Sequence, residues 1–218
     1  MTIRAYDEEY LDGARRVLGD AVDYAVITLE IEPDRFGDVF SVSDVSRQIA
    51  RGNPRFTVGM NGCELADEIL TETKTSFHEQ DHILYLDKSP EYWAGWALAF
   101  YQWYSGRPFS EILSVIPLSG IIGMYPVFHE MDILQFAEHM DSKLKEAGPA
   151  TRLYERRTNC GLSQSELAKR SGVPLRQIQL FEQRQRDINK TSAVTLRRLS
   201  SYLFCTMEEL MESEQREV

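Results

Sequence analysis

The stretch from Leu162 to Arg186, LSQSELAKRSGVPLRQIQLFEQRQR, constrains this 218-residue chain more than any other. Ser163 can cap a helix, and Glu166, three residues on, can reach back to the Ser163 backbone N–H, a reciprocal capping box. Leu167 and Ala168 give that helix an inward face. Ser171-Gly172-Val173 reads as a turn, because Gly172 can take a positive φ at little cost. Pro174 stands where a second helix begins, a position that makes no use of its missing N–H. In that second helix Ile178 and Phe181 point inward, while Arg176, Gln177, Gln179, Leu180 and Arg184 are left outside. The prediction is two short helices joined by a tight turn, with polar side chains exposed at the start of the second.

This pattern resembles the Cro-type phage-repressor helix-turn-helix, the XRE family. The resemblance runs from Leu153 to about Leu210 and rests on Gly161-Leu162-Ser163-Gln164, Glu166-Leu167-Ala168, Gly172-Val173, Ile178 and Glu182. It implies a five-helix module that binds double-stranded DNA. It implies that Gln164, at the start of the second helix, contacts the DNA backbone. It also implies that Arg157 and Glu182 form a structural ion pair. Two positions depart from the family pattern. Pro174 replaces the usual Ser or Thr cap of the recognition helix. Arg184 replaces the usual Gly after it, which predicts a longer or more helical exit turn.

The five helices are expected at about Arg152–Cys160, Gln164–Arg170, Leu175–Gln185, Ser192–Leu203 and Met207–Glu214. Gly161 can end the first in a left-handed cap, and Thr206 with Glu209 forms a second capping box. A helix fits the major groove, where each base pair shows a distinct pattern of donors and acceptors. Leu175, Arg176, Gln177, Gln179 and Leu180 occupy the positions that would meet base edges. Arg suits guanine, Gln suits adenine, and Leu can pack on a thymine methyl. Gln164 and the N-terminus of its helix would hold a phosphate, while Arg184, Arg186 and Lys190 would meet phosphate or the minor groove. One such module covers little DNA, so a homodimer on two half-sites is the expected form.

Net charge is −10, which by itself opposes DNA binding. Its distribution reverses that. Residues 151–198 hold eleven Lys and Arg against four Asp and Glu, a net of +7. Residues 1–150 hold twelve against twenty-five, a net of −13, and the tail from 199 holds one against five, a net of −4. A basic island on an acidic chain is the footprint of a nucleic-acid reader whose remainder has another task.

That remainder reads as a helical domain over residues 1–148, followed by the DNA-binding domain over 151–214; the fold class is all-α. Helical spacing runs through Leu11, Ala14, Val17, Leu18, Ala21, Val22, Ala25 and Val26. Further helices are expected around Phe36–Phe40, over Asp44–Ala50, from Cys63 to about Thr73, over Glu91–Tyr104, from Pro108 to Ile116, and from Phe128 to Ala147. Phe56–Met60 reads as a short segment, possible as extended chain. Residues 74–90 read as a loop with a short strand at Ile83–Leu86. Gly148-Pro149-Ala150 marks the boundary, since Pro cannot continue a helix.

The helix Glu91–Tyr104 holds seven aromatics and all three tryptophans. Rings at helical spacing are ordinary core. These cover more than one face, however, so Tyr92, Trp93, Trp96, Tyr101, Trp103 and Tyr104 are also a candidate surface for a small-molecule effector or a protein partner such as a toxin. His78-Glu79-Gln80-Asp81-His82 formally matches H-E-x-x-H, the pattern of a zinc hydrolase. That chemistry requires a helix placing both imidazoles on one face, and the flanking residues lack helical periodicity. The expectation is therefore no metal, no cofactor and no catalytic residue. Cys63, Cys160 and Cys205 are scattered and odd in number, which fits reduced thiols of a cytoplasmic protein. No apolar run is long enough to span a bilayer. These features point to a DNA-binding transcriptional regulator, a repressor by expectation. The alternatives are an antitoxin that represses its own operon and, behind it, the zinc hydrolase.

Overall fold

A computed structural model describes residues 4–78, 80–82, 87–148 and 150–212. Every regular element among them is helical. The chain divides into two compact units, Met1–Ala147 and Gly148–Val218.

In the first unit, α1 (Leu11–Asp23) is the central helix. Leu11, Ala14, Val17, Leu18, Ala21 and Val22 are all buried, so its apolar stripe is wide and several helices close on it. It continues into one π-helical turn, Tyr24–Thr28. Then follow α2 (Pro33–Val42), α3 (Asp44–Ala50), α4 (Pro54–Thr57), α5 (Gly62–Glu72), α6 (Pro90–Ser105), α7 (Phe109–Val115), α8 (Leu118–Ile122), α9 (Tyr125–Phe128) and α10 (Ile133–Ala147). Local chemistry starts them: Glu32, Ser43, Asn53 and Ser89 each accept a first-turn N–H, and Asn61 with Glu64 makes a full capping box.

Helix α6 packs along α1 at a separation that only small residues permit. A Cβ on Gly95 would lie 2.5 Å from the Leu18 carbonyl oxygen, and one on Gly19 would lie 2.8 Å from the Tyr92 ring. Behind α6 the aromatics interlock. Trp93 meets Tyr125 and Phe136 edge-on, and Tyr101 donates its hydroxyl to Asp141 at 2.6 Å.

Three readings change here. Phe56 lies in the helical turn α4, because Asn53 caps it and Pro54 is preset for its first position. The long helix expected from Phe128 starts at Ile133, because Asp132 interrupts it and accepts the Leu134 N–H at 2.8 Å. The aromatic helix also offers no open face of rings. Trp93, Tyr101 and Trp103 are core residues. The three half-buried rings are each met by a cation: Lys88 over Tyr92, Arg15 over Trp96 at 3.4 Å, and Arg4 over Tyr104 at 4.2 Å.

The connection from α5 to α6 is pinned to α1, the π turn and α5. Lys88 reaches Asp20 at 2.8 Å, the Ser89 hydroxyl donates to Asp23, and the Tyr24 hydroxyl donates to the Gln80 carbonyl. His82 sits 2.8 Å from Asp67. Residues 75–78 and 80–82 are not helical, so His78 and His82 do not share a helix face; Glu79 and Ile83–Leu86 lie outside the described residues. No group of three or more metal-ligating side chains occurs among the described residues. Burial pushes the Cys63 thiol up to about 11, which keeps it protonated at neutral pH. Among the described residues no single helix is long and apolar enough to cross a membrane. Only the bent pair Phe109–Val115 with Leu118–Phe128 reaches that threshold, across a 77° break.

Two outcomes are expected. Gly95→Ala forces α1 and α6 apart and destabilises this unit by about 1–3 kcal/mol. Urea unfolding followed by tryptophan fluorescence measures it directly, since every tryptophan lies on α6. Asp23 is the second case. Burial raises its carboxyl above the ordinary range, the Ser89 hydroxyl pulling the other way. A raised folded value means that the acid's favourable contribution is complete below the unfolded pKa and is lost as pH rises through the folded one. Asp23→Asn is therefore expected to raise the unfolding midpoint at pH 7 relative to the parent chain. The gain should vanish below the ordinary carboxylate range.

Candidate nucleic-acid interface

The second unit is built from α11 (Arg152–Asn159), α12 (Gln164–Ser171), α13 (Leu175–Glu182), a 3-10 turn (Ile188–Lys190) and α14 (Ala193–Tyr202). The capping box at α12 forms in both directions: the Glu166 N–H reaches Ser163 Oγ at 3.1 Å, and the Ser163 N–H reaches Glu166 Oε2 at 2.9 Å. Gly172 ends α12 at φ 67°, a left-handed value that any Cβ would strain. Leu153, Leu162, Leu167, Val173, Ile178, Phe181, Ile188, Leu196 and Leu199 make the core beneath these helices. The described part of the expected fifth helix, residues 207–212, is a hydrogen-bonded turn, and residues 213–214 lie outside the described residues. Its Thr206–Glu209 box is present, and Leu210 and Met211 N–H groups bond back three residues.

One polar cluster fixes the recognition helix. Arg157 and Glu182 have side chains only 1% and 2% exposed. Their contact is two-pronged: Arg157 Nε donates to Glu182 Oε1 at 2.8 Å and Nη2 to Oε2 at 2.9 Å. Arg157 Nη1 also donates to the Leu162 carbonyl at 2.7 Å. Gln164 Nε2 donates to Glu182 Oε2 at 2.7 Å. Helices α11, α12 and α13 are thus joined at one point. Sequence reasoning placed Gln164 on the DNA backbone and missed this tie to the recognition helix.

With Ile178, Phe181 and Glu182 buried, α13 turns its opposite side outward. Leu175 and Arg176 are exposed, and Gln179 and Leu180 are half-exposed. Gln183, exposed directly after the helix, continues the same face at helical spacing from Arg176, Gln179 and Leu180. It was absent from the expected contacts, although its register alone marks it. Gln177 stands differently from the rest. It is half-buried, and its amide donates to Thr191 Oγ1 at 3.4 Å, turning it toward the turn before α14. Pro174 gives α13 no side-chain cap.

The exit from α13 answers the question raised by Arg184. The helix stops at Glu182, and Arg184 takes the left-handed conformation itself, at φ 55°. The Arg186 N–H closes the turn on the Leu180 carbonyl at 3.0 Å. The turn is wider than a glycine-type cap and no more helical. Arg184 and Arg186 are exposed, Arg186 lying over the Phe181 ring at 5.9 Å. Lys190 is solvent-facing, in a loose pair with Asp187 at 3.5 Å.

Residues 153–210 match the helix-turn-helix family model. No curated protein and no solved structure matches the chain. Capping box, glycine turn, buried Arg–Glu fork and outward polar face all fall within the matched span. This segment is a DNA-binding helix-turn-helix module of the XRE type, and residues before 153 fall outside the match.

Arg157→Ala is expected to leave Glu182 buried and poorly compensated, at about 3–5 kcal/mol. Amide hydrogen exchange in α12 and α13 reads that loss.

Proposed function

We propose that the protein is a sequence-specific transcriptional regulator, acting as a repressor, in which α13 enters the major groove of an operator. The observation that carries this reading is the row Arg176, Gln179, Leu180 and Gln183, held outward on a helix locked from behind by Arg157, Glu182 and Gln164. Leu175, Arg176, Gln179 and Leu180 read base edges. Arg184, Arg186 and Lys190 meet phosphate, consistent with the +7 charge of residues 151–198. Gln177 acts chiefly by bracing the helix against Thr191. The acidic first unit receives the signal that sets DNA occupancy. This function needs no cofactor, metal or catalytic residue, and a regulator of this kind works in the cytoplasm as a homodimer.

A second reading is an antitoxin whose first unit holds a protein partner. Val127, Met131 and Leu134 favour it, being exposed apolar side chains at the corner between α9 and α10. Copurification of a stoichiometric protein from the native host supports this reading, and a chain isolated alone with DNA favours the simple regulator.

Selection from random duplexes is expected to return a palindromic site. Arg176→Ala should relax preference at one base position per half-site, weakening the selected site by about 1–3 kcal/mol. Lys190→Ala should weaken all duplexes alike and lower the slope of log K against log salt by about one. Failure of the parent chain to bind any duplex at low salt would sink both readings.

A further inference from the structure

Among the described residues of the first unit, Arg4, Arg15 and Arg107 are the half-buried arginines. Two of them have acceptors: Arg4 donates to the Tyr104 carbonyl at 2.8 Å, and Arg107 is bound to Glu111. Arg15 differs. Its Nε is buried with no hydrogen-bond partner, and the carboxylate beside it, Asp12, stands 3.6 Å away with a side chain 97% exposed. Burial works against the Arg15 charge. The guanidinium is nevertheless held in place, 3.4 Å over the Trp96 ring and 5.2 Å from the Phe100 ring one turn further along α6. Its side chain stays 13% exposed, so the group is reachable from solvent.

A second unmet donor lies within its field. The Tyr6 hydroxyl is buried with no hydrogen-bond partner. Burial raises it far above the ordinary phenol range, with Arg15 pulling the other way. It therefore stays protonated at neutral pH, a donor beside a cation. Tyr6 is itself fixed. A Cβ on Gly52 would lie 2.4 Å from Tyr6 Cβ, and Trp103 Nε1 donates to the Tyr6 carbonyl at 2.9 Å. A buried donor left unpaired costs stability. Two such donors, a guanidinium and a phenol, are complementary to one anionic acceptor.

We infer that Arg15 and Tyr6 bind the carboxylate of a small organic acid, where the N-terminal segment meets α1 and α6. A carboxylate is planar and offers two oxygens, which matches the guanidinium fork. The rings of Trp96, Phe100 and Tyr6 keep the pair in apolar surroundings, which suits a ligand whose remaining part is apolar. Charge selects against phosphate. Asp7, Glu8, Glu9 and Asp12, all exposed on the chain leading from Tyr6 into α1, outnumber Arg15 and Arg16 and repel a dianion. The use of this site as the signal received by the first unit rests on the regulator reading above; the site itself does not.

Thermal unfolding of the full chain, followed by tryptophan fluorescence, tests the site with benzoate, acetate and inorganic phosphate as probes. Benzoate is expected to raise the midpoint saturably, acetate to raise it less at equal concentration, and phosphate to leave it unmoved. Tyr6→Phe should weaken benzoate binding several-fold while leaving the ligand-free midpoint unchanged or raised, because it removes a buried hydroxyl that has no partner. Arg15→Gln should weaken benzoate binding by roughly tenfold or more. A parent chain whose midpoint none of the three probes moves at about 10 mM overturns the inference. So does a phosphate shift as large as that of benzoate, or benzoate affinity equal to the parent's in both variants. A ligand-free midpoint lowered by Tyr6→Phe shows that the hydroxyl is already satisfied and counts against the site. Benzoate binding in a chain that binds no duplex supports the site and removes the regulator reading. A chain that binds duplexes but neither carboxylate keeps that reading and overturns the site.

Discussion

The two-pronged contact between Arg157 and Glu182 is what the reading face depends on. Helix α13 is eight residues long, too short to hold its own geometry in water. Its position comes from what it is tied to. Arg157 reaches Glu182 at its last turn, the Leu162 carbonyl before α12, and through Glu182 the Gln164 side chain at the start of α12. A buried ion pair contributes less stability than an apolar cluster of the same volume, because both charges are desolvated. It does, however, select one arrangement: any rotation of α13 that exposed Ile178 or Phe181 would take Glu182 away from Arg157. The fork thereby converts a short helix into a fixed set of outward side chains.

The first unit is held together by different means. Its organising contact is the close approach of α1 and α6, which Gly19 and Gly95 allow and which dispersion and burial then stabilise. Charge serves at its edges. Arg4, Arg15 and Lys88 lie over the outer rings of α6, and Asp20 and Asp23 anchor the connection that leads into it. Asp23 is held there against its own desolvation, so the anchor sits in tension with the core beside it. This unit is where the chain's acidic excess lies, and the module that binds a polyanion is where its basic excess lies. The division of charge follows the division of structure.

What could be read from the sequence is what short range decides. Ser163 with Glu166, Asn61 with Glu64, and Thr206 with Glu209 lie three residues apart, and all three boxes form. The resemblance to a family supplied the Arg157–Glu182 pair across twenty-five residues. What was not legible involves partners brought together by the fold. Nothing near Gln177 announces Thr191, and nothing near Gln164 announces Glu182. The outer rings of α6 could not be told from a binding surface, because the cations over Trp96 and Tyr104 come from Arg15 and Arg4, some eighty to one hundred residues away. The Thr206–Glu209 box shows the opposite limit: both bonds of a helix start can be present while the described residues after it form a turn.

Arg184 and Phe204 remain as a pair that one physical argument covers. Each occupies the left-handed position just after a helix of the second unit, α13 in one case and α14 in the other. At both positions glycine would satisfy the backbone with no steric penalty, as Gly172 does after α12. Both residues therefore carry backbone strain that the position itself does not require. Under the DNA-binding reading, a guanidinium at the end of the recognition helix is suited to phosphate. The Phe204 ring, by contrast, stands almost wholly in water. The same backbone conformation thus carries a cation beside the reading helix and an apolar ring after α14.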